Sequence, residues 1–125
     1  MVYALLDPKS GSIVFANAGH LPPLLVDGSG AHFLETETRL PLGIRESSFS
    51  ERTIKMTAGS RLIFYSDGVT EAMNSSFEQY GETRLRDHLA NPSASVQSLL
   101  RDVRTFTAGD SASDDITVVM VQACG

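Results

Sequence analysis

Two acidic motifs adjoin apolar runs, and together they offer the oxygen donors of a hydrated divalent cation. Ser66-Asp67-Gly68-Val69-Thr70-Glu71 follows the strand-like Arg61-Leu62-Ile63-Phe64-Tyr65, and Asp114-Asp115-Ile116-Thr117 precedes Val118-Val119-Met120-Val121. One carboxylate ends a strand and the other begins one, so antiparallel neighbours would bring both to the same rim of a sheet. Adjacent strands sit about 4.8 Å apart and oxygen–metal bonds to Mg²⁺ or Mn²⁺ run near about 2.1 Å, so Asp67 and Asp114 could share one ion. Two like charges about 4 Å apart repel by about 4 kcal/mol at an effective dielectric of about 20. A rim holding Asp67, Asp114 and Asp115 therefore calls for a proton, a cation or a metal. Taken singly, each motif also has a plain reading: Asp67-Gly68 as turn chemistry and Asp114-Asp115 as a solvated loop start.

A third segment, Asn17-Ala18-Gly19-His20, is followed by Leu21-Pro22-Pro23 at the exit of the second strand-like run. Gly19 would let the backbone turn sharply and His20 could reach a cleft; the plainer reading is a turn with a half-buried histidine. His32 and His88 show no metal-ligand spacing with each other or with His20, which argues against zinc. The chain has no glycine-rich phosphate loop and no Gly-x-Ser-x-Gly elbow, and its one cysteine, Cys124, is not placed for nucleophilic work.

The elements that must position these residues are legible from turn chemistry and periodicity. Met1–Leu6 and Ser12–Ala16 are joined by Asp7-Pro8-Lys9-Ser10-Gly11, and Leu24-Leu25-Val26 and His32-Phe33-Leu34 flank Asp27-Gly28-Ser29-Gly30, so two hairpins are expected. Phe49–Met56 alternates weakly and Thr57-Ala58-Gly59-Ser60 turns into Arg61–Tyr65, which makes the chain up to Asp67 read as a β-meander. Beyond it, Gly81–Leu89 predicts a short helix with Leu85 and Leu89 inward, ending near Asn91-Pro92. The segment Phe77–Leu89 reads either as a regulatory or substrate-facing surface or as packing of Phe77, Tyr80, Leu85 and Leu89. Val96, Leu99, Leu100, Val103 and Phe106 trace one face of a second helix, with Pro92 and Ser93 at its start and Gly109 at its exit. Asp110–Ser113 is a loop before the last strand. The fold class is α+β, helices packed on mainly antiparallel sheets.

The bulk numbers narrow the function. At 125 residues, 42% hydrophobic and 20% charged, the chain is one globular domain or a piece of one. Its net charge of −5 and scattered basic residues exclude the clustered positive footprint of a nucleic-acid binder. No basic segment with an apolar run opens the chain, so no signal peptide is expected. The apolar runs fall far short of the roughly 20 residues that span a bilayer, and the expected location is the cytoplasm.

Four segments in order carry a resemblance: Phe15-Ala16-Asn17-Ala18-Gly19-His20-Leu21-Pro22-Pro23, Leu40-Pro41-Leu42-Gly43, Tyr65-Ser66-Asp67-Gly68-Val69-Thr70-Glu71-Ala72, and Asp114-Asp115-Ile116-Thr117-Val118-Val119. The chain resembles the SpoIIE-like, RsbU-type branch of the PPM (protein phosphatase 2C-like) serine/threonine phosphatases. The resemblance implies a four-layer αββα sandwich with a binuclear Mn²⁺ or Mg²⁺ centre at one end. By match to the family motifs, Asp67 and Asp114 are metal ligands. Asp115 stands where many relatives carry Asn. The resemblance implies for it, as for His20, Asn17, Gly19 and Gly68, a place beside the ligands or the role of a further candidate ligand. His20 stands where the wider family has an acidic residue near an additional metal, with Asn17, Gly19 and Gly68 as neighbours of the ligands.

The family's early Gly-Asp strand motif, source of a bridging aspartate, has no counterpart here. Residues 1–125 are therefore expected to be the C-terminal portion of the catalytic domain, binding metal weakly or not at all by themselves, since Mg²⁺ and Mn²⁺ keep several waters and need more charge to settle. The implied reaction is hydrolysis of phosphoserine or phosphothreonine on a regulatory protein such as an anti-anti-sigma factor, through a metal-activated water. The alternative is a non-catalytic half-domain that binds a protein or forms a homodimer through its exposed first strand.

Overall fold

The computed structural model describes residues 1–35, 43, 50–109 and 115–124. Its strands are β1 (Val2–Asp7), β2 (Ser12–Asn17), β3 (Leu24–Asp27), β4 (Gly30–Phe33), β5 (Glu51–Lys55), β6 (Arg61–Tyr65) and β7 (Val118–Gln122); its helices are α1 (Asp67–Thr70), α2 (Gly81–Leu89) and α3 (Val96–Phe106). The architecture is α+β with antiparallel pairing throughout, as expected. Both expected hairpins are present, β1–β2 and β3–β4. Phe49, Leu40–Leu42 and Asp110–Asp114 lie outside the described residues.

The strands before Asp67 do not form one meander. They divide between a three-stranded sheet, β1-β2-β5, and a four-stranded sheet, β4-β3-β6-β7. Each hairpin stays intact, but β5 returns to β2 and β6 returns to β3. The burial pattern explains the division. Ile13, Phe15, Leu34, Met56 and Leu62 are buried together between the sheets, with Phe64 and Val121 against them. On the other face of β6, Ile63 and Tyr65 join Leu24, Val26, Leu85, Leu89, Leu99 and Val103 under the two longer helices. A strand buried on both faces reads as a continuous apolar run rather than an alternating one, which is why Leu62-Ile63-Phe64-Tyr65 shows no period of two.

The helical half departs from expectation in three places. First, α3 starts from Ser95, not from Pro92-Ser93: the Ser95 hydroxyl accepts from the Ser98 amide at 3.1 Å and the Ser98 hydroxyl accepts from the Ser95 amide at 2.9 Å. That reciprocal pair satisfies two backbone donors at a helix start, whereas Ser93 only folds back on the Asn91 side chain. Second, the packing reading of Phe77 fails: the residue is 84% exposed, because the chain from Met73 to Gln79 closes as a loop and the helix begins only at Gly81. Third, Asp67-Gly68 opens a single helical turn instead of a plain β-turn.

Among the described residues, the outer face of the three-stranded sheet is largely uncovered. Tyr3 and Leu5, opposite Ala16 and Val14 on that face, are 59% and 58% exposed, and β1 is an edge strand. An apolar edge of this kind is a template for pairing with another segment or chain.

Two phenols in the helix-side core give the fold an alkaline limit. Burial, and then the Glu82 carboxylate, raise Tyr65 above the ordinary phenol range; burial, and then the bond its hydroxyl donates to Asp102 at 2.5 Å, raise Tyr80. A group with a raised folded pKa contributes its full stability below the unfolded value and loses it as pH climbs beyond. The urea midpoint is therefore expected to hold steady up to about pH 10, the ordinary tyrosine value, and to fall above it. Tyr80→Phe should flatten that fall, which equilibrium denaturation at stepped pH measures directly.

Candidate metal centre

The rim is built where β6 ends and β7 begins. These strands are antiparallel neighbours, with Tyr65 opposite Val118 as the last pair in register. One residue further, the Ser66 amide donates to the Thr117 carbonyl at 2.9 Å. The Ser66 hydroxyl accepts from the Thr117 amide at 2.9 Å and donates to the Asp115 carbonyl at 3.2 Å. The two strand ends carrying the acidic motifs are thus bonded to one another at a single edge of the four-stranded sheet.

Asp67 opens α1 with its side chain toward solvent, while Gly68, Val69 and Thr70 are buried and seat the turn. The Asp67 carbonyl accepts from the Glu71 amide at 2.8 Å and from the Thr70 hydroxyl at 3.3 Å, so its backbone is held on the C-terminal side as well. Among the described residues no hydrogen bond or ion pair engages the Asp67 carboxylate. Asp115 is also exposed, and its backbone is held by Ser66. Asp114, the other expected ligand, lies outside the described residues.

The Asn17–Leu21 turn reaches the same rim from the other sheet. Gly19 takes a φ of +71°, a conformation that glycine adopts without steric cost. The buried Asn17 amide braces the turn: Oδ1 accepts from the His20 amide at 2.8 Å and Nδ2 donates to the His20 carbonyl at 2.9 Å. His20 Nε2 then lies 3.0 Å from the Tyr65 carbonyl, two residues before Asp67. A carbonyl only accepts, so Nε2 is the donor in this contact. Asn17 and Gly19 therefore shape the turn that delivers His20. Ser66 and the Tyr65 carbonyl are contributions the motif reading did not single out; the hydroxyl next to Asp67 at a strand end was the available signal.

In kind these donors suit Mg²⁺ or Mn²⁺, which favour carboxylate and carbonyl oxygen. In number they fall short, since no three His, Cys, Asp or Glu side chains cluster among the described residues. Further ligands beyond those described are needed to complete such a site.

The sequence profile of the family described as Stage II sporulation protein E (SpoIIE) matches residues 1–123. Protein IcfG of Synechocystis sp. is 30% identical over 126 residues, covering 97% of this chain and 20% of that protein. The phosphoserine phosphatase RsbP of Bacillus subtilis is 30% identical over 122 residues, covering 96% of this chain and 30% of RsbP. Among solved structures, the RsbU and RsbW domains of Rv1364c from Mycobacterium tuberculosis superpose with a TM-score of 0.76 at 27% identity, over 98% of this chain and 35% of that one. The chain thus spans less than a third of the length of these two curated relatives.

Proposed function

Because the chain belongs to the SpoIIE family, the SpoIIE-like branch of the PPM phosphatases, we propose that it supplies part of the metal centre of a phosphoserine/phosphothreonine protein phosphatase. Asp67 and Asp114 are the residues of this chain that would hold Mn²⁺ or Mg²⁺; the remaining ligands come from sequence outside these 125 residues. When bound, such ions supply an activated water for in-line attack on phosphorus and neutralise the phosphoryl oxygens. The chain's own residues orient and brace. Asp67 presents an exposed carboxylate at the edge of a buried helical turn, Asp115 and Gly68 flank the ligands, and the Asn17-Gly19-His20 turn ties the second sheet to the Tyr65 carbonyl beside them. The observation that supports this reading is the antiparallel pairing of β6 with β7, which brings Ser66-Asp67 and the Asp115–Thr117 segment to one rim.

The substrate in this reading is a phosphorylated regulatory protein of the anti-anti-sigma type, met in the cytoplasm. What supports it is the likeness to RsbP, a phosphoserine phosphatase. No described helix is long and apolar enough to cross a membrane. The exposed apolar edge of β1 favours a second role alongside, as the surface that receives either the rest of the domain or a second copy. The test is phosphate release from a phosphoserine protein with and without Mn²⁺, by the full-length protein and by residues 1–125 alone. Mn²⁺-dependent turnover is expected from the full-length protein and little or none from the isolated segment. Metal-independent turnover, or none from the full-length protein with any regulatory phosphoprotein, would overturn the phosphatase reading. A monodisperse dimer with no turnover would favour the binding module.

A further inference from the structure

In an antiparallel ladder, directly opposed residues that form a hydrogen-bonded pair exchange two bonds, each amide donating to the other's carbonyl. Ser66 and Thr117 stand one residue beyond Tyr65 and Val118, the last pair of the β6–β7 ladder, where a further hydrogen-bonded pair would fall. Half of the exchange is present: the Ser66 amide donates to the Thr117 carbonyl at 2.9 Å. The other half cannot form in the usual way, because the Ser66 carbonyl has turned into α1 and accepts from the Val69 amide at 3.1 Å. The Ser66 hydroxyl takes its place, accepting from the Thr117 amide at 2.9 Å and passing its own proton to the Asp115 carbonyl at 3.2 Å. One side chain therefore completes the last rung of the sheet while its backbone leaves to start the turn that carries Asp67.

From this geometry we infer that Ser66 is a positioning residue for the metal centre: its hydroxyl holds the Asp115–Thr117 segment at a fixed offset from Asp67. The inference rests on the phosphatase reading above. Without the hydroxyl, the Thr117 amide and the Asp115 carbonyl lose their partner, and the strand that follows Asp114-Asp115 is anchored to the end of β6 by one bond instead of three. The sheet itself loses little, since β6 and β7 remain paired over five residue pairs from Arg61–Gln122 to Tyr65–Val118. Hydroxyl chemistry, and not size, is the requirement, so threonine should serve where alanine fails.

The experiment compares wild type, Ser66→Ala and Ser66→Thr in the full-length protein. Amide hydrogen exchange is read over residues 115–122, Mn²⁺ affinity by titration, and global folding by circular dichroism. Ser66→Ala is expected to speed exchange at Thr117 and to weaken Mn²⁺ binding by about tenfold to a hundredfold, the usual effect of losing an outer hydrogen bond around a metal site. Ser66→Thr is expected to restore both. Unchanged exchange in Ser66→Ala overturns the clamp, and faster exchange with unaltered Mn²⁺ affinity overturns the positioning role. Failure of threonine to restore either property also overturns it. If Ser66→Ala does not fold, the threonine variant decides: wild-type exchange and affinity support the role, and loss of affinity overturns it. A wild-type protein that binds no Mn²⁺ defeats the phosphatase reading itself, while the exchange measurement still reports on the hydroxyl bond.

Discussion

Asp67→Asn in the full-length protein should reduce Mn²⁺-dependent phosphatase turnover by at least about a hundredfold, a rise of about 2.7 kcal/mol in the barrier. Asparagine keeps the size of the side chain but removes the charge that draws a hard cation. The fold should barely notice. The Asp67 carboxylate is exposed, and among the described residues nothing bonds to it; its only structural credit is an acidic group in the first turn of α1, worth about 0.3–1 kcal/mol. Loss of metal affinity with a melting temperature lowered by no more than a few degrees is therefore the expected signature. Asp87→Asn, an exposed carboxylate on α2, serves as the control and should leave both properties alone. Titration calorimetry with Mn²⁺ and a thermal melt on the same preparations check the result. Retained affinity in Asp67→Asn would remove this residue from the metal centre.

The largest effect on stability is expected at the opposite end of the same strand. Arg61 opens β6 and is 4% exposed, yet no described carboxylate pairs with it. Its guanidinium instead donates to three carbonyls: Ala94 at 2.9 Å, Leu89 at 2.8 Å and Asn91 at 3.1 Å. Leu89 is the last residue of α2, so the cation sits where the helix dipole favours it and where the final carbonyls have no helical partner. Arg61 thereby welds the α2–α3 connection to the sheet.

Arg61→Met keeps much of the apolar stem and withdraws every donor. The Asn91 carbonyl keeps the bond it accepts from the Ala94 amide at 3.0 Å. Two carbonyls, those of Leu89 and Ala94, lose their partner at about 1 kcal/mol or more each, so a loss of about 2 kcal/mol is expected. A cleft of about 260 Å³ bordered by Ser60, Arg61, Pro92 and Gln122 admits water and keeps the figure from rising further. Urea denaturation measures it. Turnover per folded molecule should be unchanged, because Arg61 lies at the other end of β6 from Asp67. A variant as stable as wild type would show that these bonds add nothing net over hydration of the same groups.

These two residues, on either end of one strand, mark how far the sequence could be read. Asp67 was legible because an acidic residue with glycine behind it closes a strongly apolar run. Arg61 was not: a basic residue at a strand start normally faces solvent, and only the packing of the α2–α3 connection over it buries the guanidinium. Phe77 makes the converse point. The sequence left it open between packing and a substrate-facing surface, and the structure excludes packing: helix formation waits for Gly81, and the ring is left in solvent.

The family followed from the resemblance of four ordered motifs. The α+β class, both hairpins and the spans of α2, α3 and β6 followed from local chemistry: turn residues and the period of apolar positions. Those signals report which side of an element seeks burial, not what will cover it. Which strands become neighbours was decided only when two sheets closed over Ile13, Phe15 and Leu62, sending β5 back to β2 and β6 back to β3. The same closure set β7 beside β6 and gave the Ser66 hydroxyl and the His20 ring their partners. Those partners lie 51 and 45 positions away along the chain, beyond the reach of any local pattern, because a hydrogen bond depends on distance in space and not on separation in sequence.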